Sequence, residues 1–244
     1  MSVRKPGWPH WSVLLIFSAA FLIACPLIGH AQTKRKTITP GQRAIVIDER
    51  LSALRTLPDV KASLEQRLRR GRVIGILGAK KAKDGERFLR VSVTRNTRGW
   101  LLAEAVVKSG SPADAERLLS LIGDTADDFT KARLAKLCAD EFRSTSVAAR
   151  CLLKLGETAE RAADRLTRDA KRRVGDEEPD AALTKRDYFL NFVGLDRYNR
   201  IGVIFDYDEK AERIVYDGAA YQDVLKRYPK SAEAQAATEK LRQK

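Results

Sequence analysis

Residues 64–100, LEQRLRRGRVIGILGAKKAKDGERFLRVSVTRNTRGW, are the clearest strand-forming stretch of this 244-residue chain. Val73 to Leu77 and Phe88 to Val93 are short apolar runs rich in β-branched residues, set between turn markers at Gly71, Gly78, Asp84-Gly85, Asn96 and Gly99. Outward from them lie Ala44 to Ile47, Trp100 to Leu102 and Val106-Val107, with Pro58-Asp59 as a further turn. Several short strands at close spacing predict a small β-barrel. Asp59 to Gln66 is open to a helical turn. Strand alternation puts Leu89, Val91 and Val93 on one face as core, and Phe88 on the other with Arg90 and Ser92. Phe88 is therefore expected at the surface, or against the neighbouring helical part. Trp100 is expected to close the barrel core.

Charge divides the chain. Residues 32–108 carry 19 Lys and Arg against 7 Asp and Glu, whereas residues 109–244 carry 25 of each. A basic segment joined to a neutral one predicts a localised anionic partner rather than general solubility alone. The basic residues gather as Arg67, Arg69, Arg70 and Arg72 around Gly71, then Lys80, Lys81 and Lys83, then Arg95 and Arg98. If Gly71 closes a turn, the arginines stand at a loop tip, with the lysines on the next loop. The alternative is a solvated surface.

Over about Gln42–Val107 the chain resembles a bacterial SH3 domain. The pieces that carry the resemblance are Leu51–Arg55, Leu68-Arg69-Arg70-Gly71-Arg72-Val73-Ile74, Phe88-Leu89-Arg90-Val91 and Gly99-Trp100-Leu101. The resemblance implies a small barrel whose aromatic-lined groove binds peptides or cell-wall peptide bridges, with Phe88 in the place of a groove aromatic. The chain departs from the family here, because Phe88 and Trp100 are the only aromatic residues between positions 32 and 108. That shifts the expected partner from a peptide to an anionic surface, bound through Arg69, Arg70, Arg72, Lys80, Lys81 and Phe88.

The N-terminus reads as a secretory signal peptide over residues 1–31: Arg4 and Lys5, an uncharged run from Trp11 to Ile28, then Gly29-His30-Ala31 before a cut. Leu22-Ile23-Ala24-Cys25 also resembles a lipobox, so lipidation at Cys25 is the alternative, and the one route by which a membrane partner is expected. Residues 32–41 are a basic tether. Both histidines, His10 and His30, lie in the segment expected to be removed. Catalysis by Ser-His or Cys-His pairs and histidine-ligated metal sites are then excluded. No cofactor motif is found, nothing points to nucleic acid, and a non-enzymatic protein is expected.

Residues 109–244 read as mostly helical. Ser111 and Pro112 start a helix to Ile122, and Asp124 or Thr125 caps a second with Phe129, Leu134, Leu137 and Phe142 at helical spacing. After a break at Arg143 to Ser146, one helix is expected to end at Gly156 and another to fill Glu157 to Val174. Gly175 to Ala181 is an acidic loop, and Thr184 with Asp187 forms a capping arrangement. A β-hairpin is expected over residues 201–216. Asp206, Asp208 and Glu209 in it read as a polar turn, without the spacing of a calcium loop.

The stretch from Tyr221 through Tyr228-Pro229-Lys230-Ser231 to Ala237 resembles the helical hairpins of tetratricopeptide-type envelope proteins, which implies a protein partner for this part. Cys138 and Cys151 flank the turn at Ser144-Thr145 nearly symmetrically. They are either disulfide-bonded or two buried thiols. The fold class expected is α+β, a small SH3-like barrel over residues 42–108 followed by a helical region with one hairpin. The function expected is binding of an anionic cell-wall polymer or peptidoglycan in the periplasm or outside the cell. The alternative is an assembly factor in which the helices work and the barrel is structural.

Overall fold

The computed structural model describes residues 41–176, 184–191 and 193–243. The expected signal segment, the lipobox at Cys25, the tether except Gly41 and most of the acidic loop lie outside the described residues. The described residues belong to one unit, Ile38–Lys244. No helix among them is long and apolar enough to cross a membrane.

Seven antiparallel strands form one sheet: β1 (Arg43–Val46), β2 (Ala53–Arg55), β3 (Leu64–Arg67), β4 (Val73–Lys81), β5 (Arg87–Ser92), β6 (Arg98–Leu102) and β7 (Val106–Lys108). Their order is β3-β2-β6-β5-β4-β1-β7, and a short 3-10 turn at Ala103–Ala105 leads into β7. The sheet is open: β3 and β7 end the row, and the closed barrel expected from the strand spacing is not formed. The stretch Asp59 to Gln66 makes no helical turn. Its last residues form β3 instead, because Gln66 and Arg67 pair with Leu54 and Ala53 across a hairpin.

One face of the sheet buries Ala44, Val46, Leu54, Ile74, Leu89, Val91 and Leu101 together. Alternation along β1 turns Ile45 the other way, where with Val107 it joins the core of the helices. The two central residues of β1 and β7 thereby tie the sheet to the helical part. Fully burying side chains of this size stabilises by about 2 kcal/mol each.

The helices are α1 (Pro112–Asp124), α2 (Asp128–Glu141), α3 (Val147–Asp176), α4 (Lys185–Leu190), α5 (Val193–Asn199), α6 (Ala219–Arg227) and α7 (Ala232–Arg242). The hairpin is β8 (Phe205–Asp208) with β9 (Arg213–Tyr216). Ser111 caps α1 by accepting a hydrogen bond from the Asp114 amide, and Pro112 needs no partner at the first helical position. The cap of α2 is Asp127, three residues beyond the expected Asp124, and it accepts from the Thr130 amide at 2.7 Å. Thr184 and Asp187 form a reciprocal capping box at α4.

The expected break at Gly156 is absent, and α3 runs through it for 30 residues. The reason is packing. A Cβ at position 156 would stand 2.3 Å from the ring of Tyr221 on α6. Glycine is required here so that an aromatic ring can lie against the helix backbone, not to end the helix. Ala159, Ala162, Ala163, Leu166 and Ala170 continue the same buried face. Near its far end Thr167 holds the hairpin, its hydroxyl accepting from the Ile214 amide at 2.9 Å. Cys138 of α2 and Cys151 of α3 are joined by a disulfide, with their Cα atoms 5.9 Å apart.

Candidate anion-binding site

The turn between β3 and β4 is built from Leu68 outward. Leu68 is buried, its amide donating to the Ser52 carbonyl and its carbonyl accepting from the Ser52 hydroxyl at 2.6 Å. Gly71 takes φ = +75°, a conformation open to glycine at little cost, and its amide donates to the Val46 carbonyl at 2.8 Å. Val46 returns the bond to the Arg72 carbonyl at 3.0 Å. The tip is therefore clamped to β1 and to the start of β2, and Arg69, Arg70 and Arg72 leave it from a fixed backbone.

Arg70 is the most constrained of them. Its amide donates to a Glu49 carboxylate oxygen at 2.9 Å and its Nε to the Ile47 carbonyl at 3.1 Å. Arg72 donates to the Val93 carbonyl at 3.3 Å. From the helical part, Arg133 on α2 donates to the Arg70 carbonyl. A Cβ at Gly71 would come within 2.8 Å of that guanidinium. Glycine is needed here twice, for its dihedral angle and for the close approach of Arg133.

Two clefts flank this tip. One, of about 540 Å³, is lined by Arg67, Arg69, Arg70, Arg72 and Arg133 with the Thr94 and Thr97 side chains, and has no carboxylate in its lining. The other, of about 410 Å³, shares Arg69, Arg70 and Arg133 but is also lined by Glu49, Asp124 and Asp127. The first is a positively charged site, and the second is mixed. Among the described residues none of the five arginines forms an ion pair, so their charges are not cancelled within the chain.

The structure brings Arg69, Arg70 and Arg72 together but leaves Lys80 and Lys81 out. The two lysines lie at the far end of β4, opposite Phe88 and Arg87, rather than on a loop. At about 3.3 Å per residue the strand carries Lys80 roughly 26 Å from Arg72. The strand extends this far because its pairing with β5 continues past the bulge between Ile76 and Gly78.

Phe88, expected at the surface, is 1% exposed. Its register neighbours are Lys80 on β4 and Leu102 on β6, with the 3-10 turn following directly after Leu102. Alternation placed it correctly on the face away from Leu89. That face is nevertheless covered at this end, so Phe88 offers no flat surface to a ligand. Trp100 is half-buried rather than a core residue, and stands in register between Arg55 and Arg90, while Leu101 beside it takes the core position.

Arg133 is the residue the sequence did not single out. It lies 61 positions beyond Arg72, and the only local hint is its place between the buried Ala132 and Leu134 on a packed helix. The acidic residues of the hairpin have structural partners: Asp206 pairs with Arg186 at 2.6 Å, and Asp208 accepts from the Lys210 and Ala211 amides. Among the described residues no group of three or more His, Cys, Asp or Glu side chains is placed to hold a metal ion. No family model matches this chain, and neither the curated proteins nor the solved structures give a match.

Proposed function

We propose that this chain is an exported, non-enzymatic binding protein of the cell envelope. Its basic sheet, a divergent SH3-like domain, captures an anionic wall or surface component such as peptidoglycan, and its helical part engages a protein partner. The observation that carries the reading is the carboxylate-free cleft at the β3–β4 turn, where Arg67, Arg69, Arg70, Arg72 and Arg133 converge. The binding surface is this arginine cleft alone, without Lys80, Lys81 or Phe88. The SH3-like reading is supported by the order of the quoted pieces, which fall on β2, on the turn into β4, on β5 and on β6 of one antiparallel sheet. Export is supported by the charged and apolar pattern of the N-terminus and by the Cys138–Cys151 disulfide, since such bonds persist mainly in oxidising compartments.

The test is sedimentation of the full mature chain with purified envelope material. Binding is expected at low salt and should fall as ionic strength rises, because exposed charges are screened over a shorter distance. Changing Arg67, Arg69 and Arg72 to Ser should abolish it, whereas changing Lys80 and Lys81 should not. Equal sedimentation of the arginine variant would overturn the reading.

A second reading makes the helical part the working surface and the sheet its support. The burial of Phe88 favours it. It predicts that the arginine variant still recovers the same protein partner from envelope extracts.

A further inference from the structure

We infer that the carboxylate-free cleft is a site for a diphosphoryl group, a diphosphate ester or two adjacent phosphates, rather than for carboxylates. This rests on the reading above and narrows its ligand. Five arginines line this cleft of about 540 Å³, and no acidic residue does. Their side-chain hydrogen bonds to the described residues go to neutral backbone carbonyls: Arg67 to Arg50, Arg70 to Ile47, Arg72 to Val93 and Arg133 to Arg70. A guanidinium carries five donors in a planar fork, so most donors stay available, and none of the five forms an ion pair among the described residues.

Charge density then selects the ligand. A carboxylate brings one negative charge and two acceptor atoms, so matching this cleft would take several carboxylates packed side by side. A phosphomonoester brings about 1.5 to 2 negative charges and three strong acceptor oxygens. Two phosphoryl groups together bring about 3 to 4 negative charges to the five cations, and the planar forks suit their oxygens bidentately. The cleft is within the usual range for small-molecule sites, which leaves space for the first atoms of whatever the phosphates are attached to. Thr94 and Thr97, whose hydroxyls bond to each other at 2.9 Å, belong to the same wall.

The position of Arg133 strengthens the assignment. It is half-buried, comes from a helix rather than the sheet, and reaches the tip only because Gly71 has no side chain. A solvated surface needs no such approach. A cationic wall assembled from both parts of the molecule is the arrangement an anion site requires, since a charge partly shielded from water acts more strongly on its ligand.

The experiment is calorimetric titration of the full mature chain with inorganic pyrophosphate, and with citrate at the same ionic strength. Pyrophosphate should bind once per chain and at least about tenfold more tightly than citrate, the worth of one additional charge-assisted hydrogen bond. Arg69→Gln, which removes an exposed side chain with no hydrogen bond to the described residues, should weaken pyrophosphate binding by about tenfold. Arg133→Gln should do the same, with thermal unfolding showing that the chain remains folded. Lys80→Gln with Lys81→Gln should leave it unchanged.

Citrate binding as tightly as pyrophosphate, or the lysine variant losing as much affinity as Arg69→Gln, would overturn the inference. Phosphatidylcholine vesicles with and without a long-chain prenyl diphosphate distinguish the source. Uptake on the diphosphate vesicles, competed by pyrophosphate, assigns a lipid headgroup. Pyrophosphate binding without vesicle uptake assigns a soluble ester. Should pyrophosphate bind while envelope material does not, the broader reading fails and the phosphate site stands. Should Arg69→Gln abolish envelope binding with no preference for pyrophosphate, only the phosphate assignment fails.

Discussion

The sheet and the helical part use arginine in opposite ways. In the helices cations are matched by acids: Arg117 with Asp114, Arg150 with Glu116, Arg161 and Arg165 with Asp128, Lys240 with Glu160. In the sheet, among the described residues, the internal pair is Arg50 with Asp48, while Arg43 reaches across to Glu141 on α2. Exposed pairs stabilise by at most about 1 kcal/mol, so neither pattern is what holds the fold together. The difference lies in the field each part presents. The helices are close to neutral over short distances, and the sheet projects uncancelled positive charge from one turn. Stability and recognition are thus separated, with the helices locked by covalent and steric constraints and the arginines of the turn left without acidic partners at ion-pair distance.

That separation can be broken first at the disulfide. Changing both Cys138 and Cys151 to Ala removes a link between residues 13 positions apart that ties α2 to α3. The expected loss is about 3 kcal/mol, read as a lower midpoint in chemical unfolding. Anion binding measured well below that midpoint should not change. An unchanged midpoint would mean that apolar packing alone locks the helices.

Gly156→Ala is the next largest effect. Alanine ordinarily favours a helix over glycine by about 1 kcal/mol. Here the added methyl would meet the fully buried Tyr221 ring, so the net change should be a loss of about 2 kcal/mol. In a Tyr221→Leu background the same substitution should lose its penalty. A stabilising Gly156→Ala in the native background would contradict the close approach of α6 to α3.

A smaller effect belongs to the cap of α2, the helix that carries Arg133. Asp127→Ala should cost about 1 kcal/mol. Burial pushes the Asp127 carboxyl up, but hydrogen bonds from Thr130 and the charges of Arg197 and Arg165 outweigh it and hold the group below its ordinary 3.8. A carboxyl depressed in the folded state contributes its stabilisation fully above the unfolded value and loses it as pH falls through the folded one. The stability gap between the wild-type chain and Asp127→Asn should therefore be constant near neutrality and close below about pH 4.

What the sequence disclosed divides by distance along the chain. Local signals were legible: Ser111-Pro112 as a helix start, Thr184 with Asp187 as a capping box, Gly71 as a turn, the hairpin within residues 201–216. Each depends on residues a few positions apart. Apart from the cap of α2, which lies at Asp127 and not at Asp124 or Thr125, the failures depend on a distant partner. Gly156 read as a stop because nothing near it reveals that Tyr221, 65 positions on, lies against it. Phe88 read as either exposed or packed against the helical part, because alternation gives its face but not what covers that face. Lys80 and Lys81 read as loop residues because strand pairing past Gly78 is decided by β5. Four of the five arginines of the candidate site were visible for the same reason: Arg67, Arg69, Arg70 and Arg72 are neighbours in the chain, and Arg133 joins them only through the packing of α2 on the turn.

The smallest expected effect on stability is the sharpest test of the comparison. Arg67, Arg69 and Arg72 form no ion pair among the described residues, and two of them bond only to carbonyls. Changing all three to Ser removes mutual repulsion together with those bonds, so the unfolding midpoint should move by no more than surface substitutions usually do, within about 0.5 kcal/mol per site. The same variant should lose salt-sensitive anion binding altogether. The matched control is Arg161 and Arg165 changed to Ser, which strips Asp128 of its two partners at the first turn of α2. That variant should be less stable than the wild-type chain and should bind anions as well as it does. A sheet variant that unfolds as readily as the helical one would show that the arginines at the β3–β4 turn are part of the scaffold, and the division between holding the fold and meeting a ligand would fail.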